Sequence, residues 1–115
     1  MIPNIKRDDY STEEIIVGKD YDGQPVYRKV IFYNQYILKD TLIAIPHNIQ
    51  NLGEVIKCDA MMKWNNTNYP FPTHYQNQTN EIVVNSIDAT NINITSYGEN
   101  WGDYIIRFTL EYKKN

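Results

Sequence analysis

The clearest signal in the chain is an alternation at its end. From Tyr104 to Lys113, Tyr104, Ile106, Phe108, Leu110 and Tyr112 fall on one face, and Arg107, Thr109, Glu111 and Lys113 on the other. Period two sustained over this length predicts a half-buried strand. Shorter runs precede it. LIAIP (42–46) is halted by its proline, and EVIKCDAMMKW (54–64) is the longest central candidate. EIVVNSI (81–87) and NINITS (91–96) follow, the second carrying Ile92 and Ile94 on one face. No window has a helical period, so strands spaced by turn signals predict an all-β sandwich or barrel. The connections are too short for parallel crossovers, so the strands are expected to pair antiparallel. NNTNYPFPTHYQNQTN (65–80) reads as one long irregular loop, a feature that tends to be functional or to sit at an interface.

Near the start, YSTEEIIVGKDYDGQPVYRK (10–29) reads as a hairpin folded over Asp22-Gly23. A two-residue type I′ turn requires positive φ at both positions. That turn sets Lys19 opposite Val26, Gly18 opposite Tyr27 and Val17 opposite Arg28, so that the Tyr27 ring covers a strand glycine. Gly18, Asp22, Gly23 and Tyr27 are thus the expected architectural residues. Glu13, Glu14 and Arg28 are candidate charges between strands or subunits. Residues 1–9 form an expected N-terminal arm ahead of a single domain, 10–115.

A length of 115 residues suits one domain. The ten tyrosines and abundant asparagine favour strands joined by turns. A net charge of −3 argues against a nucleic-acid binder, and the pairs Lys6-Arg7 and Lys113-Lys114 read as solvated ends. Cys58 is alone, so no intrachain disulfide is expected, and its apolar surroundings suggest a buried thiol. No secretory leader is visible and no run is long enough to span a membrane as a helix. The chain is expected to be made and folded in a cytoplasm.

Catalytic signatures are missing from the sequence. His47 and His74 lack metal-ligand spacing, and Asp59, Asp88 and Asp103 are scattered. Ser11, Ser86 and Ser96 have no nucleophile elbow. Asp8-Asp9 and Glu13-Glu14 point to opposite sides of an extended chain, unlike a glycosidase pair. No phosphate-binding glycine loop occurs. A non-enzymatic protein without cofactor or metal is the expectation. What remains is aromatic and amide chemistry: Trp64, Tyr69, Phe71 and Tyr75 around the long segment, and Tyr97, Asn100 and Trp101 in SYGENWGDY. Flat rings beside amides suit glycan binding; the same rings also suit a core or a subunit interface.

With these residues in view, the chain resembles a small β-domain of bacteriophage and prophage tail-fibre and receptor-binding proteins. The resemblance rests on YSTEEIIVG followed by DGQPVYRK, then HNIQNLGEVI, NYPFP, INIT and YIIRFTLEYKK, in that order. It implies a virion structural role in the tail or its appendages, a jelly-roll-like β-sandwich, and oligomerisation, commonly as trimers. Contact with other virion proteins and with a host cell-surface polysaccharide would follow, through Trp64, Tyr69, Tyr75, Tyr97, Asn100 and Trp101. The alternatives are a head or tail decoration or adaptor subunit, and a free carbohydrate-binding module.

Overall fold

The computed structural model describes residues 10–71, 73–75, 77–98 and 100–115, with backbone alone for 73–75 and 77–80. The expected arm, residues 1–9, lies outside the described residues. The strands are β1 (Ile15–Lys19), β2 (Pro25–Tyr33), β3 (Leu42–Pro46), β4 (Leu52–Trp64), β5 (Thr67–Pro70), β6 (Thr73–Tyr75), β7 (Asn77–Ile87), β8 (Asn91–Tyr97) and β9 (Ile105–Lys114). They form two antiparallel sheets, β1-β2-β9-β4-β5 and β3-β8-β7-β6. The fold is all-β and sandwich-like, as the alternation predicts. Early strands pair with late ones, β2 with β9 and β3 with β8, which gives the topology its jelly-roll character.

The last strand shows why the sheets adhere. Ile106, Phe108, Leu110 and Tyr112 are fully buried, while Ile105 and Arg107, on either side of Ile106, are exposed. Across the core, Ile82, Ile92 and Ile94 come from the other sheet. Two residues outside regular strands complete the core. Ile37 exchanges backbone bonds with Gly102, and Ile49 follows a buried His47. The His47 ring is held at both nitrogens: Nε2 donates to Asp88 O over 2.8 Å, and Nδ1 accepts from the Ile49 N–H over 3.0 Å. Neither nitrogen is left for a metal. Among the described residues no cluster of His, Cys, Asp and Glu is disposed to hold one.

The opening hairpin departs from its expected register. Its loop has three residues, 21–23, with Asp20 N donating to Gln24 O and Gly23 N to Asp20 O. Within it only Gly23 has positive φ, +84°. Asp22 instead accepts the Gln24 N–H at Oδ1, an Asx turn that keeps it out of the left-handed region. The extra loop residue pairs Gly18 with Val26, and a bulge at Val17 then pairs Ile16 with Tyr27. Tyr27 does not cover Gly18: a Cβ built there meets nothing within 4 Å, and the Tyr27 ring stacks on Tyr112 at 5.9 Å.

Three further expectations are corrected. Lys113 and Lys114 are not solvated ends. Lys113 Nζ lies 2.9 Å from Asp20, 3.0 Å from Asp22 and 3.3 Å from Glu54, and Lys114 bridges to Glu14 at 2.7 Å. The final strand runs beside the opening hairpin and the start of β4, so its cations meet their acids within the chain. Bonds to Asp20 and Asp22, then Glu54, raise the Lys113 pKa above its ordinary value. Glu14 and Arg28 also find intrachain partners, Arg28 meeting Glu111 at 2.8 Å. Cys58 is exposed rather than buried. It sits opposite Leu110, but it lines an opening with Phe71, Val83 and Val84 that leaves it accessible. Finally, much of the supposed loop 65–80 is strand, comprising β5, β6 and the start of β7.

Candidate functional site: an aromatic cluster at one end of the sandwich

The turn between β4 and β5 builds the site. Trp64 pairs with Thr67, so only Asn65 and Asn66 form the loop, with φ of 50° and 64°. This is the two-residue turn expected at Asp22-Gly23, made here by asparagines, which tolerate left-handed backbone better than other side-chain-bearing residues. Tightness matters for function. It ends β4 abruptly and leaves Trp64 at the rim, on the same face as the buried Met62.

Tyr104, just before β9, organises the rings. Trp64 lies nearly parallel to it, centroids 5.7 Å apart at 17°. Tyr69, opposite Met62 on β5, tilts against it at 5.6 Å, and Trp101 meets it edge-on at 5.5 Å and 74°. One layer deeper, Phe71 packs edge-on to Phe108. The rings form a series from core to solvent: Trp101 is 3% exposed, Tyr104 8% and Trp64 46%. Stacking on Tyr104 holds the Trp64 indole in one orientation with an open surface.

The adjacent loops are locked to each other. Gly102 exchanges bonds with Ile37, Asn100 Oδ1 accepts the Lys39 N–H over 2.9 Å, and Asp40 Oδ1 accepts the Gly98 N–H over 3.0 Å. Ser96 Oγ accepts the Thr41 N–H at 3.1 Å and donates to Leu38 O. Gly102, at φ +68°, permits the sharp approach that brings Trp101 into the core.

The structure therefore divides the expected ligand residues. Trp64 and Tyr69 come together on Tyr104, with Trp64 open to solvent. Trp101 joins them from the buried side, and its ring belongs to the core, not to a contact surface. Asn100 uses its acceptor oxygen to fasten a loop. Tyr97 is exposed opposite Glu81, on the outer face of the four-stranded sheet and apart from the cluster. Tyr75 lies on β6, and its side chain is outside the described residues. Tyr104 is the residue that sequence reasoning did not assign to the site. Its place on the inward set of the alternating strand marks it as core, and only the tertiary fold reveals three aromatic neighbours. No family model matches the chain, and no curated protein or solved structure matches it.

Proposed function

We propose that the chain is a bacteriophage virion protein of the tail or its appendages, and that it contributes to host attachment by binding a cell-surface glycan. The observation that carries the site assignment is the half-exposed Trp64 indole, fixed parallel to Tyr104 at 5.7 Å. An aromatic face is electron-rich, and the C–H groups on one side of a pyranose ring complement it. Because packing already fixes the indole, little side-chain entropy is lost on binding. The exposed amides of Asn65 and Asn66 beside it supply hydroxyl-binding groups. The virion context is supported by the motif series along the chain and by the jelly-roll-like sandwich. Each site would bind weakly, and several copies on one particle would give the avidity. The test is binding of the purified protein to host cells and to their isolated surface polysaccharide. Trp64→Ala is expected to abolish both while leaving the far-ultraviolet circular dichroism and the cooperative urea unfolding of the folded chain. Undiminished binding by the folded variant would overturn the assignment.

A further inference from the structure

The tip of the opening hairpin holds the one Asp-Gly dipeptide of the sequence, Asp22-Gly23. Such a pair carries a reaction of its own. The nitrogen of the following residue, stripped of its proton, attacks the side-chain Cγ of the protonated aspartic acid. An N–C bond forms, the C–OH bond breaks and water leaves, closing a five-membered succinimide. Water then reopens the ring at either carbonyl. The product is aspartate or isoaspartate, whose main chain runs through the former side chain. Glycine is the neighbour that favours this, because no side chain shields its nitrogen. Beyond its chain neighbours, a Cβ at Gly23 would meet nothing within 4 Å, and both residues are exposed. Bulk therefore offers the pair no protection.

Hydrogen bonding does. The Gly23 N–H donates to Asp20 O over 2.9 Å, which keeps its proton engaged. Asp22 Oδ1 accepts the Gln24 N–H over 3.0 Å, and Oδ2 accepts from Lys113 Nζ over 3.0 Å. Donors on both oxygens favour the charged form, and a carboxylate has no hydroxyl to lose. The bonds from Gln24 and then Lys113 hold the Asp22 carboxyl below its ordinary value. Two of the three bonds lie within the loop and open with it. The third comes from β9, and the same ammonium lies 2.9 Å from Asp20. One cation on the last strand thus fastens the turn on both sides of Tyr21.

We propose that Asp22-Gly23 is the chain's site of succinimide formation, and that Lys113 guards it by occupying the Asp22 carboxylate and keeping the turn shut. Isoaspartate at position 22 would add a methylene to the main chain and move the free carboxylate onto Cα. Neither the Gln24 N–H nor Lys113 would then find it in place, so one event would release the hairpin tip from β9.

Storage of the whole chain at neutral pH and physiological temperature tests this, with isoaspartate located by peptide mapping and quantified by enzymatic methylation. The native protein is expected to react about tenfold more slowly than the guanidinium-unfolded chain, since it reacts only through local opening. Lys113→Ala, judged folded by circular dichroism, is expected to gain isoaspartate at position 22 several-fold faster than wild type. Lys113→Arg keeps the cation and is expected to stay near the wild-type rate. Lys114→Ala cuts the adjacent bridge to Glu14 without touching Asp22, and it too is expected to stay near wild type. Equal rates in the native and unfolded chains, faster accumulation elsewhere in the unfolded chain, or a Lys113→Ala variant that reacts like wild type would each overturn the proposal. Equal acceleration by Lys114→Ala would also overturn it, by showing that general loosening of the hairpin sets the rate.

Discussion

The phenol of Tyr112 donates to Glu14 Oε1 over 2.5 Å, joining the segment before β1 to the last core position of β9. Lys114 holds the other oxygen at 2.7 Å. Burial pushes the Glu14 carboxyl up, but the bonds from Lys114 and Tyr112 outweigh it, and the net shift is below the ordinary value of 4.5. Tyr112 moves the opposite way: burial and then the Glu14 bond push its phenol far above the usual range. At neutral pH the pair therefore consists of a neutral phenol and a carboxylate.

A carboxyl whose pKa is lowered by folding stabilises the native state above its unfolded pKa, and that contribution is lost as pH falls through the folded value. Glu14→Gln is accordingly expected to cost about 1.5–3 kcal/mol at neutral pH, the usual worth of hydrogen bonds to a charged group. The gap between variant and wild type should shrink below pH of about 4, as the wild-type carboxyl also takes up its proton. Urea unfolding at a series of pH values measures both. A gap independent of pH would mean that Glu14 acts through packing instead.

The two tryptophans should respond differently to truncation. Trp101→Ala removes a ring from the core and is expected to cost about 3–5 kcal/mol, a large part of the stability of any small domain. Trp64→Ala forfeits mainly its stacking on Tyr104, expected at about 0.5–1.5 kcal/mol. Thermal melts of the two variants side by side decide this. Equal losses would place Trp64 in the core and remove it as a binding platform.

These two residues also show where sequence reading stops. Both are Trp beside Asn in polar surroundings, and nothing local distinguishes them; exposure is set by loops that meet only after folding. The alternation of β9 was legible because it divides two environments along one strand. The pairing of β2 with β9 leaves no local trace, since its partners lie about 80 positions apart. Ile37 and Ile49 are core residues without periodicity, delivered by backbone bonds between loops. The segment 65–80 looked like loop because its composition is polar, yet Asn-Asn carried a usable signal. Two positions tolerant of left-handed backbone between strand-forming residues make a hairpin.

That turn yields a prediction of its own. At Asn66, φ of 64° costs less for glycine than for any residue with a Cβ. Asn66→Gly is expected to stabilise the fold by about 0.5 kcal/mol, and Asn65→Val to destabilise it by about 1–2 kcal/mol through left-handed strain. Urea midpoints at constant slope would register both shifts. A neutral Asn65→Val would show that the loop relaxes into a longer turn, and Trp64 would then lose its fixed position.

Cys58 provides an independent check on how the two sheets meet. Its partner across the strands, Leu110, is fully buried, yet Cys58 is open to solvent. Ala60, Phe71 and Val84 line an opening of about 730 Å³ beside it, between β4 and β7. The thiol is accessible but poorly hydrated. Its desolvation pushes the pKa up, and the charge of Asp59 adds to this, so the thiolate is scarcer than in a free cysteine at the same pH. Since only the thiolate reacts, a disulfide reagent should label the native protein fully but several-fold more slowly than a free thiol at pH of about 8. The rate should continue to rise at pH values where the free thiol has levelled off. Labelling that requires unfolding in urea would show that the sheets close over this edge. Labelling as fast as a free thiol would show that the edge is hydrated throughout, without the apolar lining that raises the pKa.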